Sequence, residues 1–491
     1  MDLQFEKMPL QLMQCILSES KCCEETREIR LGENAPDAAA VIAAWGQVLL
    51  RSKEWRGGGM NVSGGVLAFV LYSVPETGEK HCVEEWIPFK LKWDFPDPGR
   101  EGKICAWGSL TDLEARLISD RKIMVRANVC VTAQAYSKQS IDLPQPRESY
   151  EDVELLTNTY PLTLIREAGE HAFSVEEGQT LPPMDGWIRY EVTPEITEKR
   201  VMGDKLVFRG NAKLHMLGMR DGKVESWDGE IPFSQFAELD QNYEDTADAF
   251  MVPMVTSMEV NRDEEGKWKL QCALTGQYMV TDQQLVTIPE DGYSLTRETK
   301  LHREEKILPT VLQMGGHNVA MEVTLPVDAM AVLDTAVYPG QGMIDRSEQA
   351  FIQPGWCQIL YTDPEGNLRG EQGRFESSIP MPTDDSVTPT LLWEAEEAQA
   401  VPTGGAVAVN CQLTAREMTV NDWAVPALSG ITLGEPTVKD PDRPSLLLRR
   451  CGTGSLWDIA KNCGTTVSAI KIANNIGDDY TPDKMLIIPI S

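Results

Sequence analysis

Three nine-residue stretches decide how this chain folds: VRANVCVTA at 125–133, WKLQCALTG at 268–276 and VAVNCQLTA at 407–415. In each, apolar residues occupy every second position. Val125, Ala127, Val129 and Val131 correspond to Trp268, Leu270, Cys272 and Leu274, and these to Val407, Val409, Cys411 and Leu413. The residues between are largely polar in the first two copies (Arg126 and Asn128; Lys269 and Gln271). A period of two marks antiparallel strands with one face buried. Cys272 and Cys411 fall on the inward phase, where they serve as small apolar fillers. All three stretches end in an apolar residue, a threonine and a small residue.

Working outward, the rest of each segment also recurs. An Ile-Pro-apolar triplet precedes each stretch: Ile87-Pro88-Phe89, Ile231-Pro232-Phe233 and Ile379-Pro380-Met381, with the prolines 144 and 148 residues apart. The segments open alike, Pro36 leading to Val41-Ile42, Pro182 to Trp187-Ile188 and Pro326 to Val332-Leu333. Within the first, Ala44-Trp45-Gly46 and Ala106-Trp107-Gly108 begin two similar halves. The pattern predicts a mainly β protein of three tandem β-sandwich-like repeats, followed by a small α+β domain with strand, helix, helix, strand order. The expected limits are 1–140 for the first repeat with its lead, 161–295 for the second, 296–437 for the third and 445–491 for the last domain. Residues 141–160 are expected to form a linker, because the polar, proline-containing stretch 137–151 precedes the second repeat. A charged run at 296–306 marks the next junction, and two prolines with four charges make 438–444 a second linker.

Composition narrows the function. The chain has 491 residues, room for about three domains at ~150 residues each. Its net charge of −30 opposes phosphate backbones, so nucleic acid is not an expected partner. The longest apolar stretches, 38–45 and 66–72, fall short of the ~20 residues that span a bilayer. The first twenty residues mix acids and glutamines into their apolar part and do not read as a signal peptide, so a cytoplasmic protein is expected. Eleven cysteines with irregular spacing and no CxxC are then expected to be free thiols, with no disulfide. The five histidines show no metal-ligand spacing. There is no phosphate-binding loop and no nucleophile elbow; the glycines at 57–59 read as a hairpin turn. Neither catalysis nor a cofactor is expected.

The last 46 residues change character. Leu446, Leu447 and Leu448 make a short strand. Ser455 and Asp458 form a capping box ahead of Leu456, Ile459, Ala460 and Cys463, one apolar face of a helix that Gly464 ends. Thr466 caps a second helix with Val467, Ile470 and Ala473 on its buried stripe, and residues 485–488 form a closing strand. This segment resembles the LysM domain, carried by Ser455-Leu456-Trp457-Asp458-Ile459-Ala460-Lys461, Gly464-Thr465-Thr466-Val467, Ile470, Asn474-Asn475-Ile476 and Leu486-Ile487-Ile488-Pro489. Where that family has Gly-Asp-Thr or Gly-Asp-Ser, this chain has Gly452-Thr453-Gly454-Ser455.

The three β segments resemble SPOCS domains, on Leu71-Tyr72 with Ile87-Pro88-Phe89, Leu360-Tyr361 with Ile379-Pro380-Met381, and the stretch 116–122 before Ile123. The second segment has Leu217-Gly218 in place of Leu-Tyr. SPOCS repeats ending in a LysM domain resemble the SipL-like family of spore coat morphogenetic proteins. That resemblance implies a non-enzymatic scaffold in the mother-cell cytoplasm at the forespore surface. It also implies docking through the LysM domain onto the basal-layer coat ATPase (stage IV sporulation protein A-like), with further coat proteins as partners. Thr453, Gly454, Ser455, Trp457, Ile476 and Gly477, on or beside the two groove loops, are the expected contacts. The C-terminal segment carries five bases and four acids, against an acidic remainder, as suits a docking head on a proline-rich tether. The alternative is a cell-envelope protein whose LysM groove holds peptidoglycan or N-acetylglucosamine chains.

Overall fold

The computed structural model describes residues 2–490 except 76, 97–98, 147–149, 151, 177–180, 382–385, 438–443, 451–454 and 478–484. The described residues are mainly β with two short helices, and they run through one connection pattern three times. After a short β1 (Asp2–Gln4), the first pass begins with a long strand, β2 (Glu6–Arg30). A meander of β3 (Ala40–Arg56), β4 (Gly59–Ser73) and β5 (Lys80–Asp94) follows, then β6 (Gly102–Ser119) and a second long strand, β7 (Lys122–Gln145). β7 lies between β2 and β6, antiparallel to both.

The second pass comprises β8 (Val153–Glu176), β9 (Gly186–Arg220), β10 (Lys223–Tyr243), β11 (Asp248–Arg262) and β12 (Trp268–Ser294), with β12 between β8 and β11. β9 doubles back near Gly203, whose φ of +64° a glycine adopts without a Cβ clash. Asp185 N donates to Met219 O, and Lys213 meets Glu195, so β9 supplies two strands of the second meander and β10 the third. The third pass contains β13 (Arg297–Leu325), β14 (Ala331–Pro339), β15 (Met343–Asp345), β16 (Ala350–Thr362), β17 (Leu368–Pro380), β18 (Val387–Ala395), β19 (Gln399–Pro402) and β20 (Val407–Pro436). β20 is flanked by β13 on one side and by β18 and β19 on the other. β1 pairs with the far end of β20, Leu3 opposite Ile431, tying the start of the chain to its third pass.

The recurring sequence elements occupy corresponding strands. The alternating stretches begin β7, β12 and β20, and Val125, Leu274 and Val407 are buried as their phase requires. Cys272 and Cys411 are buried too. The Ile-Pro triplets lie on β5 and β10 and at the end of β17, the last strand of each meander, with the prolines opposite Gly65, Asn211 and Ala350. Each proline faces out between two buried apolar neighbours. Lacking an N–H, it leaves no donor to recruit another strand at that point. Residues 57–58 form the expected turn between β3 and β4. The two Ala-Trp-Gly triplets mark a crossing of β3 over β6. A Cβ on Gly46 would lie 2.7 Å from Val66 Cγ1, and one on Gly108 2.6 Å from Val48 Cγ1.

The first long strand of each pass carries one extra residue against its partner: Ile16, Arg166 and Leu312. Such bulges sharpen the twist of a ladder, and here they let the long strand pairs coil around one another. The passes are therefore not beads in series, as expected for tandem sandwiches; they share core. One cluster joins Met13, Cys105 and Tyr136 of the first pass to Ile165, Val252 and Met279 of the second and Val311, Leu392 and Met418 of the third. A further layer stacks Leu10 and Leu143 on Leu162 and Val286 and on Leu308 and Val425.

Polar side chains stitch the three together in a ring. Gln277 grips the backbone of Ala106, accepting from its N–H and donating to its carbonyl, both at 2.9 Å. Gln134 donates to Thr390 Oγ1 at 2.7 Å, and Arg416 to Met251 O at 3.4 Å. The second pass thus reaches the first, the first the third, and the third the second.

Two expectations about the chain's course give way. The stretch 137–151 is no simple linker: β7 continues to Gln145 and β8 begins at Val153, so 141–160 holds two strand ends. The charged run 296–306 is no loop either: from Arg297 it forms the start of β13, where most of its residues are exposed. Of the expected linker 438–444, all but Pro444 lies outside the described residues. The cysteine expectation is also corrected. Cys22 and Cys130 stand opposite each other on β2 and β7, with Cα atoms 4.0 Å apart, and are joined as a disulfide. Their separation of 108 residues hid the pairing, because proximity here comes from ladder register and not from spacing.

Candidate functional site

The C-terminal module contains β21 (Leu446–Arg450), α1 (Leu456–Cys463), α2 (Val467–Asn474) and β22 (Met485–Pro489). Leu456 to Cys463 become helical because Ser455 stops the preceding backbone in an extended conformation and caps the turn. Its Oγ accepts from Asp458 N, and the Asp458 carboxylate accepts from Ser455 N. Gly464, at φ +60°, ends the helix in the left-handed conformation. Thr466 caps α2 by accepting from Ala469 N. β21 and β22 pair antiparallel, and the Asn474 side chain bonds both N and O of Ile487, closing the outer edge of β22. Trp457, Ile459, Ala460, Cys463, Ile470, Leu486 and Ile488 form the module's core.

That core includes a residue of the body. Tyr293, near the end of β12, stacks edge-on against Trp457 with ring centroids 4.9 Å apart, and its hydroxyl donates to Thr465 O at 2.7 Å. Beside it, Asp291 accepts from Trp457 Nε1 at 2.8 Å and from Lys461 Nζ at 2.7 Å, and pairs with Arg303 at 2.8 Å. Burial alone would raise the Asp291 carboxyl. The hydrogen bonds from Lys461, Trp457 and the Gly292 backbone outweigh it and hold the group below its ordinary value. The module is therefore clamped to the body and is not a free head on a tether.

The expected contact residues divide accordingly. Trp457 is 9% exposed and is used inside the chain. Ser455 is exposed but serves as a cap, Ile476 is half-buried against the module's core, and Gly477 is exposed. Thr453 and Gly454 lie outside the described residues. Asp291 and Tyr293 escaped sequence reasoning. The signal that marked them is the Asp-Gly step inside a strand, which forms a bulge where β12 skips Glu290 against β8.

A second polar cluster joins β9, β10 and β14. Arg189 and Asp334 pair at 3.1 Å, His215 bonds Asp334 through Nε2 at 2.7 Å and Asp228 through Nδ1 at 2.6 Å, and Glu191 pairs with Arg189 at 3.1 Å. Every charge there meets an opposite one, so the cluster fastens the second pass to the third. Among the described residues no group of three or more His, Cys, Asp or Glu is arranged to hold a metal. No helix among them is long and apolar enough to cross a membrane.

What this geometry defines is an all-β body, closed on itself, with a small helical module fastened to one strand end. Residues 186–262 match the family model described as SipL, SPOCS domain. The matched segment spans β9, β10 and β11, that is, the second meander and the strand after it. The match supports a SipL-like relationship for this part of the chain. No curated protein and no solved structure matches the chain.

Proposed function

We propose that this protein is a non-enzymatic scaffold of spore coat assembly that docks through its C-terminal module, read as a LysM domain, onto the basal coat morphogenetic ATPase at the forespore surface. In this reading, each of the three passes is a SPOCS unit and the body makes further coat contacts. The observation that carries it is the SPOCS match inside the second of three passes that share one connection pattern. The strand, helix, helix, strand module at the end supplies the docking element. Its contacts are Thr453, Gly454, Ser455, Trp457, Ile476 and Gly477.

Pull-down by the coat ATPase tests it. Ile476→Asp places a charge where a partner would bury apolar surface, but Ile476 also supports the module's core. Gly477→Arg is the cleaner probe, since no described residue lies within 4 Å of a Cβ built there. Both variants should lose most of the capture while circular dichroism stays that of the wild type. Undiminished capture by Gly477→Arg and Ile476→Asp, or tight retention of the wild-type chain on purified peptidoglycan alone, would replace this reading with the glycan-binding one.

A further inference from the structure

We infer that the contact between the C-terminal module and the end of β12 is an autoinhibitory latch, in which Asp291 and Tyr293 withhold Trp457 from the docking partner until the module lifts off the body. The inference rests on the docking reading above, in which Trp457 is a partner contact.

The indole is fully engaged. Its N–H is spent on Asp291, and its ring is covered by Tyr293. Neighbouring bonds hold the same small area: Lys461 Nζ reaches both Asp291 oxygens, at 2.8 and 2.7 Å, and Tyr293 Oη donates to Thr465 O. Around these, Leu156 and Leu295 supply an apolar fringe. Among the described residues, the body thus holds α1 and Thr465 beyond it through Asp291 and Tyr293, with the two leucines packed against the same cluster. Contacts of this mixed polar and apolar kind are those of interfaces between domains that move relative to each other.

Chain connectivity keeps such a contact shut, because a tethered pair meets at an effective concentration of the order of millimolar. A partner that needs Trp457 must displace Asp291 and Tyr293, since one indole cannot fill both sites. Binding and latching are therefore mutually exclusive, and the partner's apparent affinity falls by the fraction of molecules that are open. Ser455 and Gly477 stay exposed in the latched form and offer a first foothold. Opening then completes the surface with Trp457.

The test uses the full chain. Asp291→Asn with Tyr293→Phe keeps side-chain volume and ring while removing the charge and the hydroxyl. Hydrogen exchange across α1 reports release, and capture by the coat ATPase reports docking. The double variant should exchange faster in α1 and bind the ATPase about tenfold tighter or more. Lys461→Gln, which breaks the latch from the module's side, should do the same in a molecule whose β12 is untouched. Unchanged exchange in both variants would overturn the latch. Faster exchange with capture no tighter than wild type would also overturn it and leave the docking reading standing. Failure of every form to bind the ATPase would reject the docking reading, and the latch with it.

Discussion

Arg189 and Asp334 face each other across the joint between the second and third passes, 3.1 Å apart, with side chains 3% and 0% exposed. Neither charge has water to turn to; besides each other, Arg189 has Glu191 and Asp334 has His215. Replacing Asp334 by Ala should destabilise the protein by about 3 kcal/mol, because it leaves the buried guanidinium with the part-exposed Glu191 as its remaining anion. Replacing the pair together, Arg189→Met with Asp334→Leu, should restore most of that loss. Chemical denaturation of the two variants checks both statements; equal losses would mean that the pair contributes nothing beyond its packing.

The same joint gives stability a pH dependence with two limbs. Burial alone would raise the Asp334 carboxyl, but the Arg189 charge and the His215 hydrogen bond bring it down from 3.8 to about 2. Its contribution is present above its ordinary range and is lost as pH falls toward about 2. Burial would lower His215, yet its hydrogen bond to Asp334 leads the contributions that hold its protonation above the ordinary 6.5. That contribution is complete below 6.5 and disappears as pH rises through the folded value. Melting temperature should therefore decline as pH rises above 6.5, and His215→Gln should flatten that decline. A wild-type and variant decline of the same slope would place the dependence elsewhere.

Alkylation of the denatured chain before any reduction should leave Cys22 and Cys130 unlabelled and linked in one peptide pair. Closing a loop of 108 residues removes unfolded-state entropy worth about 4–5 kcal/mol in the chain-entropy account. Cys22→Ser should therefore lower the denaturation midpoint by a corresponding amount under oxidising conditions and change little under reducing ones. Labelling of both thiols in the wild type would show that β2 and β7 pair without the bond.

What the sequence disclosed follows the physics of one exposed and one buried face. Val125 to Val131 alternate because β7 is there half in water, and the Ile-Pro triplets stand out because a proline between two buried residues has few places to sit. The capping box at Ser455 and Asp458 is a local bond, legible without the rest of the chain. The shared core was hidden for the opposite reason. Each pass contributes only an occasional residue to a layer, so Leu143 sits in a stretch whose polar neighbours read as linker, although it is 1% exposed. Gln134, Gln277 and Arg416 each follow directly on the apolar-threonine-small ending, yet nothing local says that they reach another pass. The clasp on Trp457 was hidden likewise, since Asp291 and Tyr293 meet it across more than 160 residues of chain.

Because the second pass holds the first, the first the third and the third the second, each inter-pass contact has its recipient within the same molecule. A ring satisfied in this way has no growing end, unlike a solenoid, whose last repeat always offers a surface to one more. Molecules of this kind cannot lengthen by adding a fourth pass, and a chain shortened by one would be left with two unmatched seams. Any larger assembly would have to be built from their outer surfaces, since the seams between passes are already filled.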